Sequence, residues 1–146
     1  MVSAIRQKPI RVLIADDHAL MRQVIITILA QAPDIEIIGE ASNGRQAVLL
    51  AKKYQPDVAI LDLVMPVVDG IRAAQEICND TSTQVLLLTM HEASPLAQFA
   101  LKTGAKGFVA KSTISTDLVD AIRRVYNKQI FMSETILQQC VDELLF

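Results

Sequence analysis

Five polar residues, standing at the ends of four apolar runs, are the ones whose types could do chemistry together. Asp16 and Asp17 follow VLIA, Asp62 follows VAIL, Thr89 follows VLLL, and Lys111 follows GFVA. If the runs are neighbouring strands, three carboxylates, a hydroxyl and an ammonium stand on one edge. Three carboxylates brought together repel one another, and a hard divalent cation such as Mg²⁺ (or Mn²⁺), held by carboxylates, water and phosphate oxygens, relieves that repulsion. With that cation and the ammonium of Lys111 nearby, Asp62 stays ionised and serves as an oxygen nucleophile toward a phosphoryl group, and Thr89 donates its hydroxyl to the phosphate. Phosphoryl transfer asks a protein chiefly for positioning and for charge neutralisation on the equatorial oxygens.

Each of these residues also has an ordinary reading. Asp16 and Asp17 would cap the helix starting near Ala19, Asp62 would sit in a turn, Thr89 would be a strand residue, Lys111 a solvated charge and Phe108 core packing. Their common position raises the shared site above those separate readings. His18 and His91 lie close to it, but neither has metal-ligand spacing to another His or to a Cys. Both read as surface histidines, with His91 in a place to tune access to the phosphate. Asp69 with Gly70 shapes the loop before a helix.

The elements that must position these groups alternate five times. Predicted strands run from Ile10 to Ala15, Ile35 to Glu40, Val58 to Leu61, Val85 to Thr89 and Gly107 to Ala110. Short apolar runs without polar alternation are what strands buried on both faces of a parallel sheet look like. Between them, helical spacing appears at Leu20, Val24 and Ile28; at Ala47, Leu50, Ala51 and Tyr54; at Ile71, Ala74 and Cys78; at Leu96, Phe99 and Ala100; and at Leu118, Ala121, Ile122 and Val125. Asn43 can open the second helix, Gly104 can end the fourth, and Ser115 or Thr116 can cap the fifth, with Pro33 and Pro56 in connections. In such a sheet, ligands sit beyond the carboxyl ends of the strands where strand order reverses.

Composition sets the remaining bounds. The 146 residues fit one domain, and 51% hydrophobic, 21% charged and 4% aromatic residues suit an aliphatic core. A net charge of −2 offers no basic field for nucleic acid. No apolar run is long enough to span a bilayer, and MVSAIRQKPIRVLIADD lacks the features of a secretory signal, so the cytoplasm is the expected location and no membrane partner is expected. Cys78 and Cys140 read as structural thiols.

The segments LIADDH, LDLVMPVVDG, LLLTM and GAKGFVAKS, in that order, resemble the signature segments of response-regulator receiver domains of two-component signalling, over about residues 10 to 127. The resemblance implies an α/β fold, a flavodoxin-like doubly wound five-stranded parallel sheet (βα)5. It implies that Asp62 is the phosphoacceptor for a sensor histidine kinase, that Asp16 and Asp17 are metal-site acids, and that the backbone carbonyl of Val64 completes the protein's share of the metal shell. By the same resemblance Thr89 is the switch hydroxyl and Lys111 contacts the phosphate. Phe108 is the switch aromatic, turning inward as that hydroxyl moves. The only catalysis implied is of the chain's own phosphorylation and dephosphorylation. Phosphorylation adds about −1.5 to −2 charges and biases a two-state equilibrium, read out on the face of the fourth helix, fifth strand and fifth helix. Three positions depart from the commonest pattern: Met90 follows the threonine, Val64 is apolar, and Ser112 stands where many relatives carry proline after the lysine.

The receiver is expected over residues 1–127, followed by a linker and extra C-terminal helix over 128–146. There Ile136, Leu137, Cys140, Val141, Leu144 and Leu145 share one helical stripe, with Ser133 as a cap. That face is expected to fold back on the domain; otherwise it pairs with a second copy as a homodimer or leads toward another module. The fifth helix and tail resemble NarL/FixJ-type regulators, which usually continue into a helix-turn-helix DNA-binding domain. That domain lies outside these residues, so the expected output is transcription through it, without DNA binding by this chain; the alternative is a stand-alone receiver. A haloacid-dehalogenase-like phosphatase would want an acid where Val64 stands. A flavodoxin-like cofactor binder would meet repulsion between its phosphate and Asp16 and Asp17. A phosphate-independent interaction module is the third rival.

Overall fold

The structure is a computed structural model, and it describes residues 8–90 and 102–138. Its elements in chain order are β1 (Ile10–Ala15), α1 (Ala19–Leu29), β2 (Ile35–Ala41), α2 (Gly44–Tyr54), β3 (Val58–Asp62), α3 (Gly70–Asp80), β4 (Gln84–Thr89), β5 (Gly107–Ala110), a 3-10 turn (Lys111–Thr113), α4 (Ile114–Tyr126) and β6 (Phe131–Met132). The strands form one sheet in the order β2-β1-β3-β4-β5-β6, and every pairing is parallel. All five predicted strands are present. The sixth is a correction: Phe131 and Met132 pair with Gly107 and Phe108 and extend the β5 edge. Two residues carry too little pattern to be read as a strand.

The sheet is covered on both sides. One core joins Leu13, Leu61, Leu87 and Phe108 to Ala47, Val48 and Ala51 of α2 and to Ala73, Ala74 and Ile77 of α3. The other joins Val12, Ile14, Ile60 and Leu88 to Ile25 and Leu29 of α1 and to Leu118, Ala121, Ile122 and Val125 of α4. Residues β3 buries throughout thus alternate between two cores, which is why VAIL reads as a continuous apolar run.

The helical stripes match with two exceptions. On α1 the buried residues are Ile25 and Leu29, whereas Leu20 is 78% exposed and Val24 is exposed as well. In a largely apolar stretch such as VIITIL, spacing alone leaves the helix's rotation open. On α2 Tyr54 is exposed and Val48 is buried instead.

Asn43 and Asp69 each cap a helix through the side chain, accepting from the amides of Gln46 and Arg72. Ser115 and Thr116 do not cap: α4 starts earlier, at Ile114, and the Thr116 hydroxyl donates back to the carbonyl of Thr113. Gly104 takes φ 96° just before β5, a left-handed backbone that suits the predicted break. The predicted helix through Leu96, Phe99 and Ala100 lies outside the described residues, as do His91, Cys140, Val141, Leu144 and Leu145.

One close approach fixes the loop that follows the third strand. A Cβ on Gly70 would lie 2.1 Å from the carbonyl oxygen of Asp62 and 2.7 Å from Cα of Leu63, both backbone atoms that cannot swing away. Gly70→Ala is therefore expected to cost about 3 kcal/mol, at the upper end for overpacking, seen as a lower midpoint of urea denaturation. An unchanged midpoint would show that α3 is not seated on the end of β3.

Candidate functional site

The sheet reverses order between β1 and β3, and the residues leaving those two strands meet there. Asp16 is fully buried; its Oδ1 accepts the amide of His18 at 2.8 Å. Its backbone is fixed twice, by donation to the carbonyl of Ala41 (3.1 Å) and by the guanidinium of Arg22 on its own carbonyl (2.6 Å). Asp62, the last residue of β3, is 4% exposed; its Oδ1 accepts the amide of Val64 at 3.2 Å. From the far side Nζ of Lys111 donates to Oδ2 of Asp62 at 3.0 Å and lies 3.3 Å from Oδ2 of Asp16.

Neither Asp16 nor Asp17 caps α1. His18 occupies that position, with its ring Nδ1 at 3.2 Å from Oδ1 of Asp16 and 3.1 Å from Oδ1 of Asp17. One ligand atom from each of Asp16, Asp17, His18 and Asp62 falls within 4.8 Å of all the others. Sequence spacing hid His18, because its partners in that cluster are acids and not further His or Cys.

Oδ2 of Asp16 is buried and makes no hydrogen bond, although the ammonium of Lys111 stands at ion-pair distance. Charge is countered there while lone pairs are left unused. A buried carboxylate that shares one ammonium with a second acid keeps lone pairs that a hard cation can take.

The electrostatics follow from one ammonium serving two carboxylates. Burial pushes the carboxyl of Asp62 above its ordinary range and the charge of Asp16 adds to that, against the opposing pull of Lys111. Burial works against the charge of Lys111, yet Asp62 and Asp16 together hold its ammonium above the ordinary lysine value. The two shifts agree once the site is counted as carrying excess negative charge.

Thr89 ends β4, half-buried and in register with Ala110, one residue before Lys111. Phe108 is buried in the core beside Leu87. Val64 places its side chain in solvent, as does Met90. Cys78 is half-buried, and burial pushes its thiol up, consistent with a structural role.

A second polar cluster was invisible in the sequence. The hydroxyl of Ser133 accepts the amide of Ala110 at 2.9 Å and donates to Oδ2 of Asp117 at 2.7 Å, and Asp117 also accepts from the hydroxyl of Thr113 at 2.7 Å. Ser133 thus spends its side chain on the turn carrying Lys111 and not on capping the helix that follows it, whose described residues are 134–138. Ile136 of that helix is buried against the core and Leu137 is exposed, so the described part of the tail does fold back. Ser133→Ala leaves a buried amide without its acceptor and is expected to cost about 2 kcal/mol, read from thermal unfolding.

Residues 12–123 match the family of the response regulator receiver domain. The response regulator UvrY of Escherichia coli K12 is 36% identical over 131 residues, which cover 89% of this chain and 60% of UvrY. The transcriptional regulatory protein LiaR of Bacillus subtilis is 39% identical over 115 residues, covering 78% of this chain and 54% of LiaR. Among solved structures, a LuxR-family two-component response regulator from Aurantimonas sp. SI85-9A1 has a TM-score of 0.89 at 30% identity, covering 95% of this chain and all of that one. The signal receiver domain of the putative response regulator NarL from Mycobacterium tuberculosis has a TM-score of 0.80 at 33% identity, covering 84% of this chain and 100% of its own. The chain spans about 60% of the length of the first of these curated relatives.

Proposed function

Because the chain belongs to the response regulator receiver domain family, we propose that Asp62 accepts a phosphoryl group from the phosphohistidine of a sensor histidine kinase and that the added charge switches an output. The observation that carries this reading is the geometry at Asp62: a buried carboxylate at the switch point of the sheet, 3.0 Å from an ammonium that it shares with a second buried acid, Asp16. An oxygen of Asp62 forms the new P–O bond while the P–N bond of the donor breaks, and the imidazole nitrogen keeps the electron pair and takes up a proton. Lys111 neutralises charge on an equatorial oxygen, and Thr89 donates its hydroxyl to the transferred group.

The acid set fits Mg²⁺ or Mn²⁺, with Asp16, Asp17, Asp62 and the backbone carbonyl of Val64 as the groups that would hold it. When bound, the ion supplies Lewis acidity toward the phosphoryl oxygens and cancels repulsion among the acids. The remaining catalysis is that of self-phosphorylation and its reversal. Thr89 and Phe108 carry the switch, in which the hydroxyl moves toward the phosphate and the ring holds the buried position.

Relatives named as transcriptional regulators, DegU and LiaR, support transcription as the output, exerted through a helix-turn-helix domain beyond residues 1–146 and in the cytoplasm. The residues matching the receiver family end at 123, and those from Lys128 onward act as the linker. Homodimers of the phosphorylated form are part of the same proposal.

Intact mass after incubation with acetyl phosphate tests it. One phosphoryl group is expected in Mg²⁺ and none in EDTA; an unmodified mass with every donor in Mg²⁺ would favour a phosphate-independent interaction module.

A further inference from the structure

His18 has no task in the reading above, yet its ring stands inside the acidic cluster. Nδ1 lies 3.2 Å from Oδ1 of Asp16 and 3.1 Å from Oδ1 of Asp17. An octahedral ion with bonds of about 2.1 Å sets adjacent ligand atoms about 3.0 Å apart and opposite ones about 4.2 Å apart. Both His18 distances are close to the adjacent spacing, and the four ligand atoms lie within 4.8 Å of one another, wider than the opposite spacing, so the side chains would close in on a bound ion.

The ring's hydrogen bond to Oδ1 of Asp16 lies inside the cluster, where an ion would replace it. His18 is the N-cap residue of α1 but makes no side-chain capping bond, and its amide is already used on Asp16. Its side chain is 69% exposed, so it reaches the cluster from the solvent side while Lys111 closes the interior side. A second pointer to an ion lies on the other oxygen of the same carboxylate: Oδ2 of the fully buried Asp16 has only the ammonium of Lys111, at 3.3 Å, as its partner among the described residues.

We propose that Nδ1 of His18 is a further ligand at this site and gives it a preference for first-row transition ions over Mg²⁺. The inference rests on the acidic metal site proposed above. An oxygen-only set suits Mg²⁺, which dehydrates reluctantly, whereas an imidazole nitrogen adds affinity for Co²⁺, Ni²⁺ or Zn²⁺ and little for Mg²⁺. Binding uses the neutral ring with its hydrogen on Nε2; a cationic ring gives up its Nδ1 proton to solvent as the bond to nitrogen forms, and Nε2 keeps its hydrogen.

The test is calorimetric titration of the full chain with Mg²⁺ and separately with Co²⁺, in the wild type, His18→Gln and Asp16→Asn. Loss of a ligand is expected to weaken Co²⁺ binding about tenfold or more, no less than loss of the groups that merely orient ligands, while His18→Gln changes Mg²⁺ binding less than about twofold. Pulsed EPR of bound Mn²⁺ gives a second readout: coupling to a directly bonded ¹⁴N in the wild type and none in His18→Gln. Unchanged Co²⁺ affinity in His18→Gln, with no ¹⁴N coupling in the wild type, overturns the ligand role and leaves the acidic site standing. Co²⁺ binding that falls in His18→Gln but not in Asp16→Asn marks a lone surface imidazole and also overturns it. Failure of the wild type to bind either ion overturns both readings.

Discussion

Asp62→Asn is expected to accept no phosphoryl group from any donor and to unfold at a higher urea concentration than the wild type. The first result follows because the amide oxygen is a poor nucleophile and no other carboxylate sits at the end of β3. The second follows from the buried charge. Burial and the neighbouring Asp16 raise the carboxyl of Asp62 above its ordinary 3.8 despite the pull of Lys111. The folded state therefore holds this proton to higher pH than the unfolded state, so stability falls as pH rises from 3.8 through the raised value. Asparagine removes that slope while Lys111 keeps Asp16 as partner. The gain is expected near neutral pH, at about 1 kcal/mol, as is common when a group kept for function is relieved, and to vanish well below 3.8. A variant less stable than the wild type at pH 7 would show that the Asp62–Lys111 pair stabilises the fold.

Lys111→Met should have the opposite sign and the larger size. The side chain is 7% exposed and stands between two carboxylates, so its loss leaves Asp16 and Asp62 facing each other without a counter-charge. Removing one partner of a buried pair costs about 3–5 kcal/mol. Burial disfavours the ammonium, but the two acids outweigh it and raise its pKa. Its contribution is therefore complete below 10.5 and is lost as pH rises through the higher folded value. Phosphorylation by acetyl phosphate should slow by about a hundredfold, the scale of losing one donor to developing charge. Combining Lys111→Met with Asp62→Asn should recover part of the lost stability, because the repulsion needs both carboxylates while Asp16 stays buried without a counter-charge. Strict additivity of the two changes would mean that the lysine acts on the fold by packing alone.

The sheet and the site edge were legible because both depend on runs the sequence cannot disguise. VLIA, VAIL and VLLL are buried on both faces, and a polar residue that follows such a run must emerge at the carboxyl edge. What escaped was set by tertiary contact. Arg22 secures the loop after β1 through the carbonyl of Asp16, and Ser133 reaches across from β6 to Ala110; neither pairing has a local spacing to betray it. Spacing leaves the rotation of α1 open because five of the six residues in VIITIL are apolar, and tertiary packing puts Leu20 outside and Ile25 inside. His18 reads as a surface histidine and is 69% exposed, but spacing between His and Cys residues does not show that tertiary contact brings it within reach of three carboxylates.

Borohydride reduction of the chain after acetyl phosphate treatment in Mg²⁺, followed by peptide mass mapping, tests most directly where the phosphoryl group resides. Hydride converts an aspartyl phosphate to homoserine and releases phosphate. Homoserine at position 62, absent without Mg²⁺, is the result expected; homoserine at Asp16 or Asp17 instead, or a phosphoryl group that resists reduction, would contradict the assignment of Asp62 as the phosphoacceptor.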